Sequence, residues 1–155
     1  MRGLISGVAL WCTLAFASCV HADQPERMQL MLGGQLFDLE LVNDPDSRRQ
    51  GLMGRETLAA DSGMLFDFPE GTRPAIWMRN MLISLDLLYV DAEGVVRQLF
   101  IEVPPCLKMP CPVYQAQQPL RFVLELPAGS ISRLGIGVGD RLALDPLLQQ
   151  APPAY

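Results

Sequence analysis

Thirteen glycines and thirteen prolines break this chain into short runs, which favours strands joined by tight turns over long helices. Met28 to Leu32 and Gln35 to Val42, joined by Gly33-Gly34, predict a hairpin, because Phe37, Leu39 and Leu41 alternate with Asp38 and Glu40. Asp44 can cap a helix, Pro45 suits its first position, and Gly51 can end it while it is still short. Met64, Phe66 and Phe68 share one strand face, and a loop from Pro69 to Pro74 leads to a strand candidate at Ala75 to Arg79. Leu85 to Val90 and Val95 to Val103 flank Asp91-Ala92-Glu93-Gly94, whose glycine can take the positive φ of a hairpin bulge. Leu120 to Leu126 and Arg141 to Leu144 complete the strands, and a second short helix is expected at Ser130 to Leu134, ended by Gly135. Many short strands with two short helices predict a mainly β fold: a single compact antiparallel β-sandwich or small β-barrel.

With 50% hydrophobic and 19% charged residues the chain can build a core. Its formal net charge of −5 argues against a nucleic-acid surface, which needs clustered positive charge. Met1-Arg2, the uncharged apolar stretch Leu4 to Ala17 and the small-x-small site Val20-His21-Ala22 predict an export signal over residues 1–22. A single β domain over 23–148 and a loose tail over 149–155 are expected to follow, in the periplasm or outside the cell. Phe16-Ala17-Ser18-Cys19 is a loose lipoprotein box, so lipidation of Cys19 is the alternative, and the one route by which the chain would meet a membrane. Cleavage after Ala22 removes His21, the chain's one histidine, and with it Ser-His pairs, Cys-His pairs and histidine metal sites. It also removes Cys12 and Cys19, which leaves Cys106 and Cys111 as an even pair in an oxidising compartment.

Cys106 and Cys111 lie in a proline-rich loop and are read first as a structural disulfide that stiffens the loop, worth about 2 kcal/mol. A redox pair is the alternative, but the C-x4-C spacing does not favour it. Met28, Met31, Met53, Met64, Met78, Met81 and Met109 raise the possibility of Cu(I) binding, yet most sit at alternating apolar positions and form no dense cluster, so they are read as core filler. No metal site and no cofactor are expected: Walker, Rossmann and G-x-S-x-G patterns are missing from the sequence.

Polar side chains interrupt apolar segments at Gly51-Leu52-Met53-Gly54-Arg55, at Trp77-Met78-Arg79-Asn80 and at Asp86. Brought together they would make a site, with Trp77 stacking on a ring, Arg55 forking onto a carboxylate and Asn80 donating and accepting hydrogen bonds. Arg55, Trp77, Asn80 and Asp86 are therefore the candidate ligand-binding residues. In the structural alternative Arg55 pairs with Asp86, Asn80 satisfies turn groups and Trp77 is core. Asp67, Asp86, Glu102 and Glu125 are the carboxylates whose burial in or beside strands can raise a pKa for acid–base work.

The segments RRQGLMGRETL (Arg48 to Leu58), GMLFDF (Gly63 to Phe68), WMRNMLISLDLLYVDAEGVV (Trp77 to Val96), PPCLKMPCPVY (Pro104 to Tyr114) and FVLELPAG with GIGVGD (Phe122 to Asp140) resemble the bacterial and archaeal "domain of unknown function 192" family. Gly51, Leu52, Met53 and Arg55 match its first motif; Trp77, Met78, Asn80 and Asp86 match its central one. Met81 stands where the family has Thr, and Ser84 where it has Pro, so a role for that Thr hydroxyl does not carry over. The resemblance implies a compact, mainly β, often exported domain and brings no activity with it. Taken together, the residues point to an exported β domain that binds a small polar or saccharide-like ligand, or an envelope partner, in a cleft. A carboxylate-dependent hydrolase and an accessory protein of an envelope complex are the alternatives.

Overall fold

The computed structural model describes residues 25–155; the expected export signal over 1–22, with Cys19 and His21, lies outside the described residues. The elements run β1 (Arg27–Leu32), β2 (Gln35–Val42), α1 (Pro45–Gln50), β3 (Ser62–Asp67), β4 (Ala75–Trp77), β5 (Leu85–Val90), β6 (Val96–Val103), β7 (Val113–Gln115), β8 (Phe122–Pro127), α2 (Ser130–Leu134) and α3 (Asp145–Leu148). The fold is mainly β, with a six-stranded sheet ordered β1-β2-β3-β8-β5-β6 and a two-stranded sheet β4-β7. The large sheet ends at β1 and β6 and does not close into a barrel.

Two expectations about the fold are corrected. The sheet is mixed rather than wholly antiparallel, because β2 and β3 pair in parallel, with Leu39 opposite Gly63 and Leu41 opposite Leu65. A parallel pair needs a crossover of about a dozen residues or more, and the connection 43–61, which contains α1, supplies it. The helices number three, since Pro146 at the start of α3 allows one more short turn near the C-terminus. Both expected hairpins are present: β1 pairs with β2 around Gly33-Gly34, and β5 with β6 around a turn that ends at Gly94, φ 81°. Asp44 caps α1 by accepting from the Asp46 and Ser47 N–H groups at 2.9 and 3.0 Å.

The last strand, β8, inserts between β3 and β5 and is antiparallel to both. These central strands are buried on both faces, which is why β5 reads as the near-continuous apolar run Leu85-Asp86-Leu87-Leu88-Tyr89-Val90. One face, with Leu39, Leu65, Leu88 and Leu124, is covered by Ile131 of α2, Ile136, Leu142, Leu144 and Leu147. The other, with Met64, Phe66, Leu87, Tyr89 and Val123, is covered by Leu52, Ile76, Met78, Met81, Ala116 and Leu120. Met64, Met78 and Met81 thus fill core space. Gly63 has no room for a side chain: a Cβ there would meet the Glu125 carbonyl oxygen at 2.5 Å, so glycine lets β3 lie against β8.

Cys106 and Cys111 form a disulfide with Cα atoms 5.6 Å apart. It closes the loop between β6 and β7, and the Cys106 N–H donates to the Met78 carbonyl at 3.0 Å, which ties the loop to the end of β4. After α3, the Gln150 carbonyl accepts from Arg121 and the Tyr155 hydroxyl donates to the Glu70 carbonyl. Among the described residues no helix is long and apolar enough to cross a membrane.

Candidate functional site

The connection after β2 and the small sheet both rest on the second core face, and a groove of about 360 Å³ lies where they meet. Trp77 forms one wall. The run Ala75-Ile76-Trp77 alternates, and Ile76 takes the buried place, so the indole is turned outward and is 40% exposed. The Arg79 guanidinium lies 5.5 Å from the Trp77 ring centroid, within cation–π range. Opposite stand Asp46, Arg49 and Gln50 of α1, with Arg49 donating to Asp46 at 2.8 Å. Asn80 and Met53 complete the lining. Asn80 has a left-handed backbone, φ 57°, and its carbonyl accepts the Gly54 N–H at 3.0 Å. That bond joins the turn after β4 to the loop after α1, so the two walls are held at a fixed separation. A non-glycine residue in this conformation costs energy and is kept only where its surroundings enforce it.

A second pocket of about 230 Å³ adjoins the groove and shares Arg49, Gln50, Met53 and Trp77 with it. The exposure of its lining residues defines its depth: Arg49 is open to solvent, whereas Leu52, Phe66, Ile76 and Met81 are buried. Glu125, only 5% exposed, lies at the deep end. It stands on β8 between Met64 of β3 and Leu87 of β5, on the second core face. Desolvation is the one influence on its carboxyl, with no hydrogen bond or neighbouring charge acting on it among the described residues, and burial pushes it up to about 8. At neutral pH this group keeps its proton and is both a hydrogen-bond donor and an acceptor. Burial, followed by the charge of ionised Glu125, pushes the nearby Tyr89 phenol upward, and its hydroxyl donates to the Tyr114 carbonyl at 2.5 Å.

A larger cavity of about 550 Å³ lies between the loop around Gly71 and the chain after α3. Its Arg121 is already held by Asp67 and by the Gln150 carbonyl, so that guanidinium is not free for a ligand. Size therefore gives way to chemistry in locating the site.

The family model for domain of unknown function 192, DUF192, described as an uncharacterized ACR, matches residues 28–144. The chain belongs to the DUF192 family. A crystal structure from Sinorhizobium meliloti 1021, of a protein described there as a candidate transcription regulator, is 37% identical to this DUF192 domain. The match covers 77% of this chain and 92% of that one, with a TM-score of 0.68. A protein of unknown function from Novosphingobium aromaticivorans DSM 12444 is 27% identical, covering 79% of this chain and 88% of its own, with a TM-score of 0.71. No curated protein matches the sequence.

Of the four candidate ligand-binding residues in this DUF192 domain, Trp77 and Asn80 line the groove, whereas Arg55 and Asp86 are elsewhere. Arg55 pairs with Glu40 of β2 at 2.5 Å, not with Asp86. Asp86 is fully buried on the opposite sheet face, where one carboxylate oxygen accepts from the Glu102 N–H at 2.7 Å and the other from the Ile131 N–H at 2.8 Å. The carboxylates marked for acid–base work are likewise separated. Asp67 is bound to Arg121, Asp86 holds α2, Glu102 lies at a β6 irregularity, and Glu125 faces the pocket. Asp46, Arg49 and Gln50 were missed as groove residues, and Arg79 was named in the Trp77 to Asn80 run but not among the four candidates. Arg49 and Arg79 sit inside the segments that carry the family resemblance, two residues before Gly51 and directly between Met78 and Asn80, so proximity in sequence was the available signal.

Glu125 gives this DUF192 domain a pH signature. Between the ordinary value of 4.5 and about 8 the folded carboxyl keeps a proton that the unfolded chain releases, so its contribution weakens the fold progressively as pH rises through that window. Glu125→Gln keeps the shape and removes the ionisation. Urea denaturation should show the variant gaining on the wild type between pH 5 and pH 9; a stability difference that is the same at both pH values would contradict the burial argument.

Proposed function

We propose that this domain works outside the cytoplasm as a binding module for a small polar, saccharide-like ligand. The ligand's ring lies on Trp77, and an acidic substituent meets Arg49 or Arg79. The observation that carries this reading is the outward indole of Trp77, held between Arg79 and the α1 side chains over a groove of ligand size. Asn80 offers a donor and an acceptor at the same wall. The Cys106–Cys111 disulfide supports an oxidising compartment, in keeping with the expected export signal.

The regulator description of the Sinorhizobium relative gives little support for DNA reading here. The chain carries a formal charge of −5, and the longest helix among the described residues has 6 residues, too short to fill a major groove as a recognition helix does. A hydrolase reading needs two carboxyl groups acting across one cavity, and the scattered placement of the four candidates does not favour it.

Trp77 is the one tryptophan among the described residues, so its fluorescence reports directly on the groove. Titration with galacturonate is expected to give saturable quenching, with galactose weaker because it lacks the acid. Trp77→Ala should weaken galacturonate binding about tenfold by calorimetry, the scale of a lost stacking contact. No response to either sugar at high concentration would overturn the proposal.

A further inference from the structure

The pocket behind Trp77 ends on a carboxyl group that no side chain or backbone group among the described residues engages. We propose that this pocket is a subsite for a neutral amide group of the ligand, with Glu125 donating its proton to the amide carbonyl oxygen and accepting from the amide N–H. The inference rests on the groove reading, since pocket and groove share Arg49, Gln50, Met53 and Trp77.

Three observations select the amide. The walls are apolar: Leu52, Phe66, Ile76 and Met81 surround the approach to Glu125, so a group entering must shed its water and charge is penalised. The side chain is 95% buried on the 5% exposure above and has no partner among the described residues, a costly arrangement that a group from outside can relieve. The remaining charged lining residues are Arg48 and Arg49, which disfavour a cation. Arg48 is itself occupied, donating to the Asn43 and Asp67 carbonyls at 2.5 and 2.9 Å and lying over the Phe68 ring, so it does not swing in to neutralise Glu125. A protonated carboxyl presents one donor and one acceptor side by side in a plane, and an amide presents the complementary pair. An amine or guanidinium would need the ionised form inside the apolar pocket; a carboxylate would bring a second acid to the first.

Three probes of matched size separate these possibilities: butyramide, n-butylammonium and butyrate, titrated into 15N-labelled protein at pH 6.5 and followed through the backbone amides of Leu52, Phe66 and Glu125. Butyramide is expected to bind most tightly, in the millimolar range appropriate to so small a molecule. Glu125→Gln, which preserves a donor–acceptor pair without the charge, should bind butyramide within about threefold of wild type, and Glu125→Leu at least about tenfold more weakly. Tightest binding of n-butylammonium with loss in Glu125→Gln, tightest binding of butyrate, or no saturable response to butyramide would overturn the proposal. Should Glu125→Leu fail to fold, the order of the three probes and the Glu125→Gln result still decide. Butyramide does not depend on a sugar stacked on Trp77, so failure here with intact galacturonate quenching removes the subsite alone, and the reverse result removes the groove reading alone.

Discussion

Asp86→Ala is expected to destabilise the protein by about 3–5 kcal/mol, because it strips one buried and one part-buried N–H group of their acceptor and leaves a cavity. The geometry explains why a carboxylate stands in the middle of an otherwise apolar strand. On β6 the pairing slips, so that Leu85 faces Val103 while Leu87 faces Phe100, and Asp86 meets an irregularity where Glu102 takes φ 51°. One oxygen of Asp86 collects the Glu102 N–H there. The other reaches α2, whose capping position is Gly129 and so has no side chain to offer; Asp86 serves as the cap from a distant strand. Asp86→Asn keeps the volume but turns one acceptor into a donor facing a donor, and should cost about 2–3 kcal/mol. Urea denaturation measures both, and galacturonate titration of the folded fraction should be unchanged. An Asp86→Asn protein with an unaltered midpoint and abolished binding would reverse this assignment and return Asp86 to the ligand.

The same residue shows what the sequence can and cannot reveal. A polar side chain interrupting an apolar strand marks either a site or a buried acceptor with structural work to do, and Asp86 in β5, Asp67 in β3 and Glu125 in β8 give the same local signal. Their partners separate them, and those partners are distant: Ile131 for Asp86 and Arg121 for Asp67. Local punctuation was legible where the physics is local. Gly33-Gly34, Gly94 and the run from Asp44 through Pro45 to Gly51 set turns and caps within a few residues of themselves. The parallel β2–β3 pair was not legible, because nothing in β2 or β3 says which neighbour each will take. Arg141 to Leu144 shows the converse failure. Leu142 and Leu144 are buried in alternation as a strand would have them, but the segment forms one isolated bridge from Arg141 to Val95 and no ladder. The three-residue β7 escaped notice beside a proline-rich loop, although it completes the small sheet that turns Trp77 outward, with Val113 as its cross-strand partner.

Arg121→Met should cost about 3–5 kcal/mol, the penalty for leaving a charge buried without its counter-ion. Arg121 Nε and a terminal nitrogen grip the two oxygens of Asp67 at 2.9 and 3.0 Å, both residues are about 95% buried, and the guanidinium also lies 4.7 Å from the Phe122 ring centroid. The pair fastens the end of β3 to the start of β8, where the Phe68 N–H already donates to the Arg121 carbonyl at 2.8 Å. Fork-to-fork geometry of this kind fixes orientation as well as proximity. Its absolute worth is a separate matter, because both charges had to leave water to form it. The double variant Asp67→Leu/Arg121→Met, which removes both charges together, should therefore recover most of the single variant's loss. The remaining Arg121 nitrogen donates to the Gln150 carbonyl at 3.1 Å, so the single variant should also speed hydrogen exchange in the segment after α3. Denaturation of the wild type, both single variants and the double variant forms a closed cycle. A double variant no more stable than the weaker single one would show that neighbouring apolar contacts, rather than the ion pair, hold β3 against β8.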